Sequence, residues 1–248
     1  MKVLIDEQFR KFAFDDKLEK DLQLDIGIFS KEQLNDSKNG DLLQSHLGKK
    51  AFVLDASLSD RFQKLEIGPQ KITQKDACMI TAFTGMKDRM TVVDAGAGSG
   101  SMVSFLANAV SPSGHVYSYE LRDDFLEIAK KNVSTLGFDK VVTIKKGNVY
   151  ESIEEKNVDL VNLDLPEPWK AIKSVNKSLK VGGYFVTYLP TITQVMLFVS
   201  QLKESKNYYV EQVFEVIKRN WIVHEQVVRP ETMMLGHTAF ITIARRLF

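Results

Sequence analysis

Met90-Thr91-Val92-Val93-Asp94-Ala95-Gly96-Ala97-Gly98-Ser99-Gly100-Ser101-Met102 is the stretch whose reading decides the fold. An apolar run ends in an acid, glycine then recurs at every second position, and an apolar stretch of helical period follows. This is the pattern of a strand turning tightly into a helix. At such a turn, backbone N–H groups and the positive end of the helix dipole converge on a ligand. The spacing is G-x-G-x-G, not the G-x-G-x-x-G of dinucleotide sites, and Asp94 stands two positions before the first glycine. A carboxylate there repels a diphosphate and suits an ammonium or sulfonium group. Glu120, 20 residues after Gly100, falls at the end of the next apolar run, where an acid can accept both hydroxyls of a ribose.

Outward from this loop, strand-like and helix-like segments alternate. MTVVDA is followed by SGSMVSFLANAV, HVYSYE and RDDFLEIAKKNVSTLG, then VVTIKK, VDLVNLDL, PWKAIKSVNKSLK, GGYFVTYL, TQVMLFVSQLKES and YYVEQVFEVI. In RDDFLEIAKKNVSTLG, Phe125, Ile128, Ala129, Val133 and Leu136 form one stripe, and Gly137 is placed to end the helix. The closing run, TAFITIARRLF, is expected as the antiparallel hairpin partner of the strand before it. The expectation is an α/β fold with a seven-stranded doubly wound sheet. Residues 1–65 differ: short mixed runs separated by NDSKNGD and HLGKK read as a small β-rich domain. A boundary near residue 65 leaves 66–248 as the domain that carries the glycine loop.

Composition bounds the function. Hydrophobic residues are 44% and charged residues 26% of 248, ordinary for a folded globular chain. Charges are scattered through the first twenty residues, so no signal peptide or spanning helix is expected and the chain is read as cytoplasmic. Cys78 is the one cysteine, and His46, His115, His224 and His237 lack ligand spacing, so no metal is expected. The net charge of +1 is low for a nucleic-acid binder, leaving any basic face local.

The glycine loop with its acidic partner Glu120 looks like the class I methyltransferase site for S-adenosylmethionine, a Rossmann-like architecture. Asp164, in Leu163-Asp164-Leu165-Pro166-Glu167-Pro168-Trp169, lies just past the fourth strand, where doubly wound sheets place their active sites. Its apolar neighbours make a desolvated carboxylate the expectation; the competing reading is a helix cap. The segments GPQKITQKD, VVDAGAGSGSM, YSYELR, LDLPEPW, YLPTITQV and RNWIVHEQVVRPETMMLGHTAFITIARR together resemble the tRNA adenine-58 N1 methyltransferases, from roughly Gly68 to the C-terminus. The resemblance implies a homotetramer with a small N-terminal β domain acting on the T-loop of tRNA, with position 57 open as a second target. It implies that Gly96, Gly98, Ser99, Gly100, Ser101 and Met102, with Asp94 and Gln70, hold the methionine part of the cofactor. Glu120 would hold the ribose, and Asn148, where such sites carry aspartate, the adenine. Asp164 would touch the cofactor and face the target base as the catalytic carboxylate. Where the family has a tyrosine and a proline, this chain has Thr73 and Gln74.

Arg219, Trp221, Arg229 and His237, with Arg245 and Arg246, are the candidates for RNA contact or subunit packing, His237 being read as structural. Lys170, Lys173, Lys177 and Lys180 form one face of a helix, read first as a solvated face and second as a phosphate contact. Two alternatives remain: a non-catalytic tRNA-binding partner subunit, and a methyltransferase for a protein or small molecule.

Overall fold

The computed structural model describes residues 1–66, 72–224 and 226–248, divided into two units, Met1–Leu65 and Glu66–Phe248. In the first unit, Lys2–Asp6 (β1) pairs with Lys11–Phe14 (β2) on one side. The ribbon Leu22–Leu24 (β3) and Gly27–Phe29 (β4) precedes a short helix, Lys31–Asp36 (α1). Leu42–Gln44 (β5) and Lys50–Asp55 (β6) complete a four-stranded antiparallel sheet in the order β2-β1-β6-β5. Alternation along β6 buries Ala51 and Val53 and exposes Phe52 and Leu54, as period-two side chains require. Leu4, Phe14, Phe29, Leu34 and Val53 form the small core. The helices α1 and Leu58–Phe62 (α2) are additions to the β-rich expectation. Their signal is in the sequence: Ser30 and Ser57 accept from the backbone N–H three residues on, at Gln33 and Asp60, and Asp60 returns the bond at Ser57 as a capping box.

The second unit bears out the seven-stranded expectation. Its elements are Gln74–Phe83 (α3), Thr91–Ala95 (β7), Ser101–Val110 (α4), His115–Glu120 (β8), Asp123–Thr135 (α5), Val142–Lys146 (β9) and Val158–Leu163 (β10). Then come a 3-10 turn at Pro168–Ala171, Ile172–Ser178 (α6), Leu179–Leu189 (β11), Ile192–Ser205 (α7) and Tyr208–Phe214 (β12). A two-stranded ribbon, Trp221–His224 (β13) with Val227–Pro230 (β14), precedes Phe240–Arg246 (β15). The sheet order is β12-β15-β11-β10-β7-β8-β9, so the strand order reverses at β7 beside β10. Ligand crevices open at the carboxyl ends of strands at such a switch point, and the glycine loop and Asp164 follow those two strands. On one face, Phe185 meets Phe198 edge-on, with centroids 5.2 Å apart at 85°. Both rings are fully buried, and truncating either costs about 3–5 kcal/mol.

Three expectations are corrected. β15 is antiparallel to Tyr208–Phe214 as foreseen, but it also pairs with β11 and inserts between the two. Being central, it buries Ile241, Ile243 and Ala244 completely, and residues 215–239 form an excursion instead of a hairpin turn. The helix after Asp164 ends at Ser178, and strand pairing begins already at Leu179 opposite Val158. A register shift accommodates Lys180–Gly183, with Lys180 paired to Asp159. On α5 the buried stripe is Leu126, Ala129, Asn132 and Val133, and Phe125 and Ile128 are only half-buried.

Candidate active site

Gly96 begins the loop with φ +78°, and a Cβ added to it would lie 2.3 Å from the Asp164 carbonyl oxygen. Only glycine lets the backbones after β7 and β10 approach so closely. Asp164 N–H donates to the Ala95 carbonyl at 2.9 Å, stitching the same two strand ends. Asn132 of α5 donates to the Ser99 carbonyl at 2.8 Å, and Ser101 Oγ donates to the Ile72 carbonyl at 2.7 Å. The loop is therefore held from three sides.

The cavity over this loop has a volume of about 240 Å³ and opens to solvent at its mouth. Gly96, Gly98, Ser99, Ser101, Met102, Glu120 and Asp164 all line it; Gly100 lies just beneath as the N-cap of α4 in a left-handed conformation. Ser99, 3% exposed, has a hydroxyl with no hydrogen-bond partner among the described residues. An orphaned buried hydroxyl in a cavity wall is a group that a polar ligand satisfies.

Glu120 Oε2 accepts from Gly98 N–H at 3.0 Å, and Oε1 accepts from Leu121 and Arg122 N–H at 2.8 and 3.0 Å. The carboxylate is thus oriented by backbone and keeps lone pairs for a ligand. A side slot continues past Glu120 between Leu121, Asn148, Tyr150 and Leu165. There Asn148 Oδ1 accepts from Tyr150 N–H at 3.0 Å and its amide donates to Glu151 Oε1 at 2.8 Å.

Asp94 departs from expectation. It is 1% exposed, is absent from the cavity wall, and gives its oxygens to Asn162 Nδ2 at 2.8 Å and Ser118 Oγ at 2.7 Å. It lies beneath the loop, out of contact with the cavity. Burial pushes its pKa up to about 6 against the opposing pull of those two donors, with the Glu120 charge adding to the rise. Asp164 goes further: burial first, then the Asp94 charge, push it up to about 7. Two desolvated carboxyls beneath and beside one cavity make it strongly favourable to a cation.

Gln70 lies outside the described residues. Ile72, Ala97, Arg122, Phe125 and Leu165 also line the cavity without having been singled out as site residues. Phe125 had a signal, read as core periodicity; the Arg122 guanidinium stacks 3.8 Å above its ring.

The tail candidates lie elsewhere. Arg219, Trp221 and Arg229 are exposed on and beside the β13–β14 ribbon, and Arg229 Nη1 donates weakly to Pro230 O and Thr232 Oγ1. His237 lies between Glu215 Oε2 at 2.7 Å and the Pro190 carbonyl at 2.9 Å. Two acceptors on one ring, the carboxylate first, raise its pKa; the histidine bridges Glu215 and the Pro190 carbonyl at the base of the excursion. Arg245 packs on Tyr184 and Arg246 donates to backbone carbonyls, so both are anchored to the sheet. Lys170 pairs with Glu167 and Lys180 with Asp159, while Lys173 and Lys177 are exposed. Among the described residues no cluster of three metal-ligating side chains occurs, and no helix is long and apolar enough to cross a membrane.

The chain is 34% identical to a Methanocaldococcus jannaschii protein named tRNA (adenine(57)-N(1)/adenine(58)-N(1))-methyltransferase TrmI, over 98% of this chain and 94% of that one. It is 35% identical to a tRNA (adenine(58)-N(1))-methyltransferase TrmI of Thermus thermophilus, over 89% and 86%. A Thermotoga maritima structure described as a SAM-dependent O-methyltransferase superposes with a TM-score of 0.89 at 31% identity, over 100% of this chain and 92% of that one. Residues 62–238 match the family described as the tRNA methyltransferase complex GCD14 subunit, and the chain belongs to that family.

Proposed function

We propose that this chain is an S-adenosylmethionine-dependent methyltransferase acting on N1 of adenine 58 in tRNA, with adenine 57 as the neighbouring target. The observation that carries the reading is Asp164: a desolvated carboxyl at the cavity edge, joined through the Gly96 contact to the glycine loop. The residues present fit the cofactor. The glycine loop gives close backbone approach, the Ser99 hydroxyl awaits a partner, Glu120 faces the cavity for a ribose, and the slot beside Asn148 suits a flat base. When bound, the cofactor supplies a methyl group already activated on a sulfonium.

The protein's remaining work is placement. Adenine N1 lies on the pairing edge, so the base must leave its stack to enter the cavity. Asp164 accepts a hydrogen bond from the exocyclic amine and stabilises the positive charge that the base acquires, an effect of about 3–4 kcal/mol by analogy with single oxyanion-hole donors. The same bond selects adenine over guanine, which presents a carbonyl there. Asp94 reinforces the negative potential from below. Gly96, Gly98, Ser99, Gly100, Ser101 and Met102 wrap the methionine end, Glu120 holds the ribose and Asn148 meets the adenine of the cofactor through its amide oxygen.

Arg219, Trp221, Arg229 and His237 serve the RNA side, His237 by bracing the excursion. We also infer a cytoplasmic homotetramer. Trp221, Val223 and Val228 stand exposed on a ribbon of two strands, a structure marginal by itself in water and suited to packing against another copy. The N-terminal unit is read as an aid to holding tRNA, which its deletion would test through tRNA affinity.

The test is methyl transfer from labelled cofactor to an unmodified tRNA transcript, with the product nucleoside identified and Asp164→Ala run beside the parent. N1-methyladenosine lost in the variant supports the reading; methylated oxygen, as the Thermotoga description implies for that protein, or no transfer at all, refutes it.

A further inference from the structure

Asp76, in the first turn of α3, is fully buried, and the chemistry above makes no use of it. Its Oδ1 takes Lys75 Nζ at 2.7 Å. Its Oδ2 accepts from Thr73 Oγ1 at 2.8 Å, Thr238 Oγ1 at 2.9 Å and Tyr188 OH at 3.0 Å. Lys75 Nζ also donates to Thr238 Oγ1 at 2.8 Å, so that hydroxyl both accepts and donates. A buried carboxylate ringed by four donors rigidifies what it joins, because losing any one of them leaves charge unmatched in a poor solvent.

What it joins is specific. Tyr188 is the residue after Thr187, which pairs with Leu163, so the register puts Tyr188, next to last in β11, beside Asp164, just past the end of β10. Burial, with the charges of Asp76 and Asp164, raises the Tyr188 pKa, keeping the hydroxyl a donor to Asp76. Thr238 lies at the root of the 215–239 excursion, next to His237, which is itself bonded to the Pro190 carbonyl two residues past Tyr188.

We propose that Asp76 is a positioning residue for methyl transfer: it fixes the Tyr188 side chain beside Asp164 and locks the root of the 215–239 excursion to it. The strand end next to the base-facing carboxylate and the segment carrying Arg219, Trp221 and Arg229 are thereby held in one register. The inference rests on the proposed role of Asp164.

The experiment compares Asp76→Asn, Tyr188→Phe and the double variant, as full-length chains, on unmodified tRNA transcript, with cofactor affinity measured by calorimetry and tRNA affinity by filter binding. Each single change is expected to lower kcat at least tenfold with cofactor Kd within twofold of the parent. The double variant is expected to be no slower than Asp76→Asn, since both changes break the same bond. A parental kcat in Asp76→Asn, or losses that multiply in the double variant, overturns the proposal; a loose structural role would give the multiplied pattern and weaken cofactor binding as well. If Asp76→Asn does not fold, Tyr188→Phe decides: lowered kcat at unchanged KM supports the proposal and parental kcat overturns it. A parent that makes no N1-methyladenosine, or an Asp164→Asn variant that is fully active, removes the functional reading and this inference together. An active parent with a dead Asp164→Asn and a parental Asp76→Asn removes this inference alone.

Discussion

Replacing Asp164 by asparagine is expected to stabilise the protein while stopping its chemistry. The carboxyl is pushed up to about 7 from an ordinary value of 3.8, a rise of about 3 units. At about 1.4 kcal/mol per unit, the ionised group costs the cofactor-free fold about 4 kcal/mol at pH 8, a figure shared in part with Asp94. Because the folded-state pKa is the higher one, the folded chain keeps a proton that the unfolded chain sheds between about pH 4 and pH 7, and parental stability falls across that window. Asparagine carries no such charge, so its advantage should be about 1 kcal/mol at pH 4.5 and about 2–4 kcal/mol at pH 8. For a unit of this size that is a rise in Tm of roughly 4–15 °C at pH 8. The assay is thermal unfolding of cofactor-free protein followed by tryptophan fluorescence, which reports the second unit because Trp169 and Trp221 both lie there. Methyl transfer to tRNA should fall about 100–1,000-fold in the same variant. An equal Tm change at pH 4.5 and pH 8, or a loss at pH 8, would show that the carboxylate is well solvated and that the electrostatic argument is wrong.

The same carboxyl governs the pH dependence of the reaction. kcat/KM for tRNA should fall as pH drops below about 7, the acid limb moving lower once a cationic cofactor is bound, and a rate–pH curve flat from 5.5 to 8 would contradict this. Gly96→Ala places a Cβ 2.3 Å from a backbone oxygen at a positive φ, so calorimetry should find cofactor affinity reduced at least 100-fold; binding within a few-fold of the parent would show that the two strand ends are not as tightly apposed. Arg229→Ala should weaken tRNA binding and flatten the slope of log K against log salt by about 0.7–0.9, one phosphate contact, leaving cofactor Kd unchanged. An unaltered salt slope would remove Arg229 from the RNA surface.

Much of the site was legible because the chemistry is local. The strand, glycine loop and helix from Thr91 to Val110 form a continuous segment in which apolar period and glycine spacing settle both conformation and ligand approach. Glu120 was readable as the last residue of the next strand, and Asp164 as an acid among apolar neighbours past the fourth. The tail was harder. Residues 221–230 carry Ile222, Val223, Val227 and Val228, yet their pairing in a ribbon and the insertion of β15 between β11 and β12 depend on long-range hydrogen bonding that local pattern does not encode.

The sequence by itself determined the doubly wound fold, the glycine loop, the carboxylate that follows the fourth strand of the sheet and the family, since each rests on short-range pattern or on motifs read in order. Tertiary structure alone decided that Asp94 lies beneath the loop, because burial depends on which strands flank it. It alone brought Phe125 to the cavity wall, and it alone gathered Thr73, Lys75, Asp76, Tyr188 and Thr238, as many as 165 positions apart, around one carboxylate. The physical reason is that desolvation and hydrogen-bond closure are properties of a packed neighbourhood, and the chain acquires that neighbourhood only when the sheet has closed.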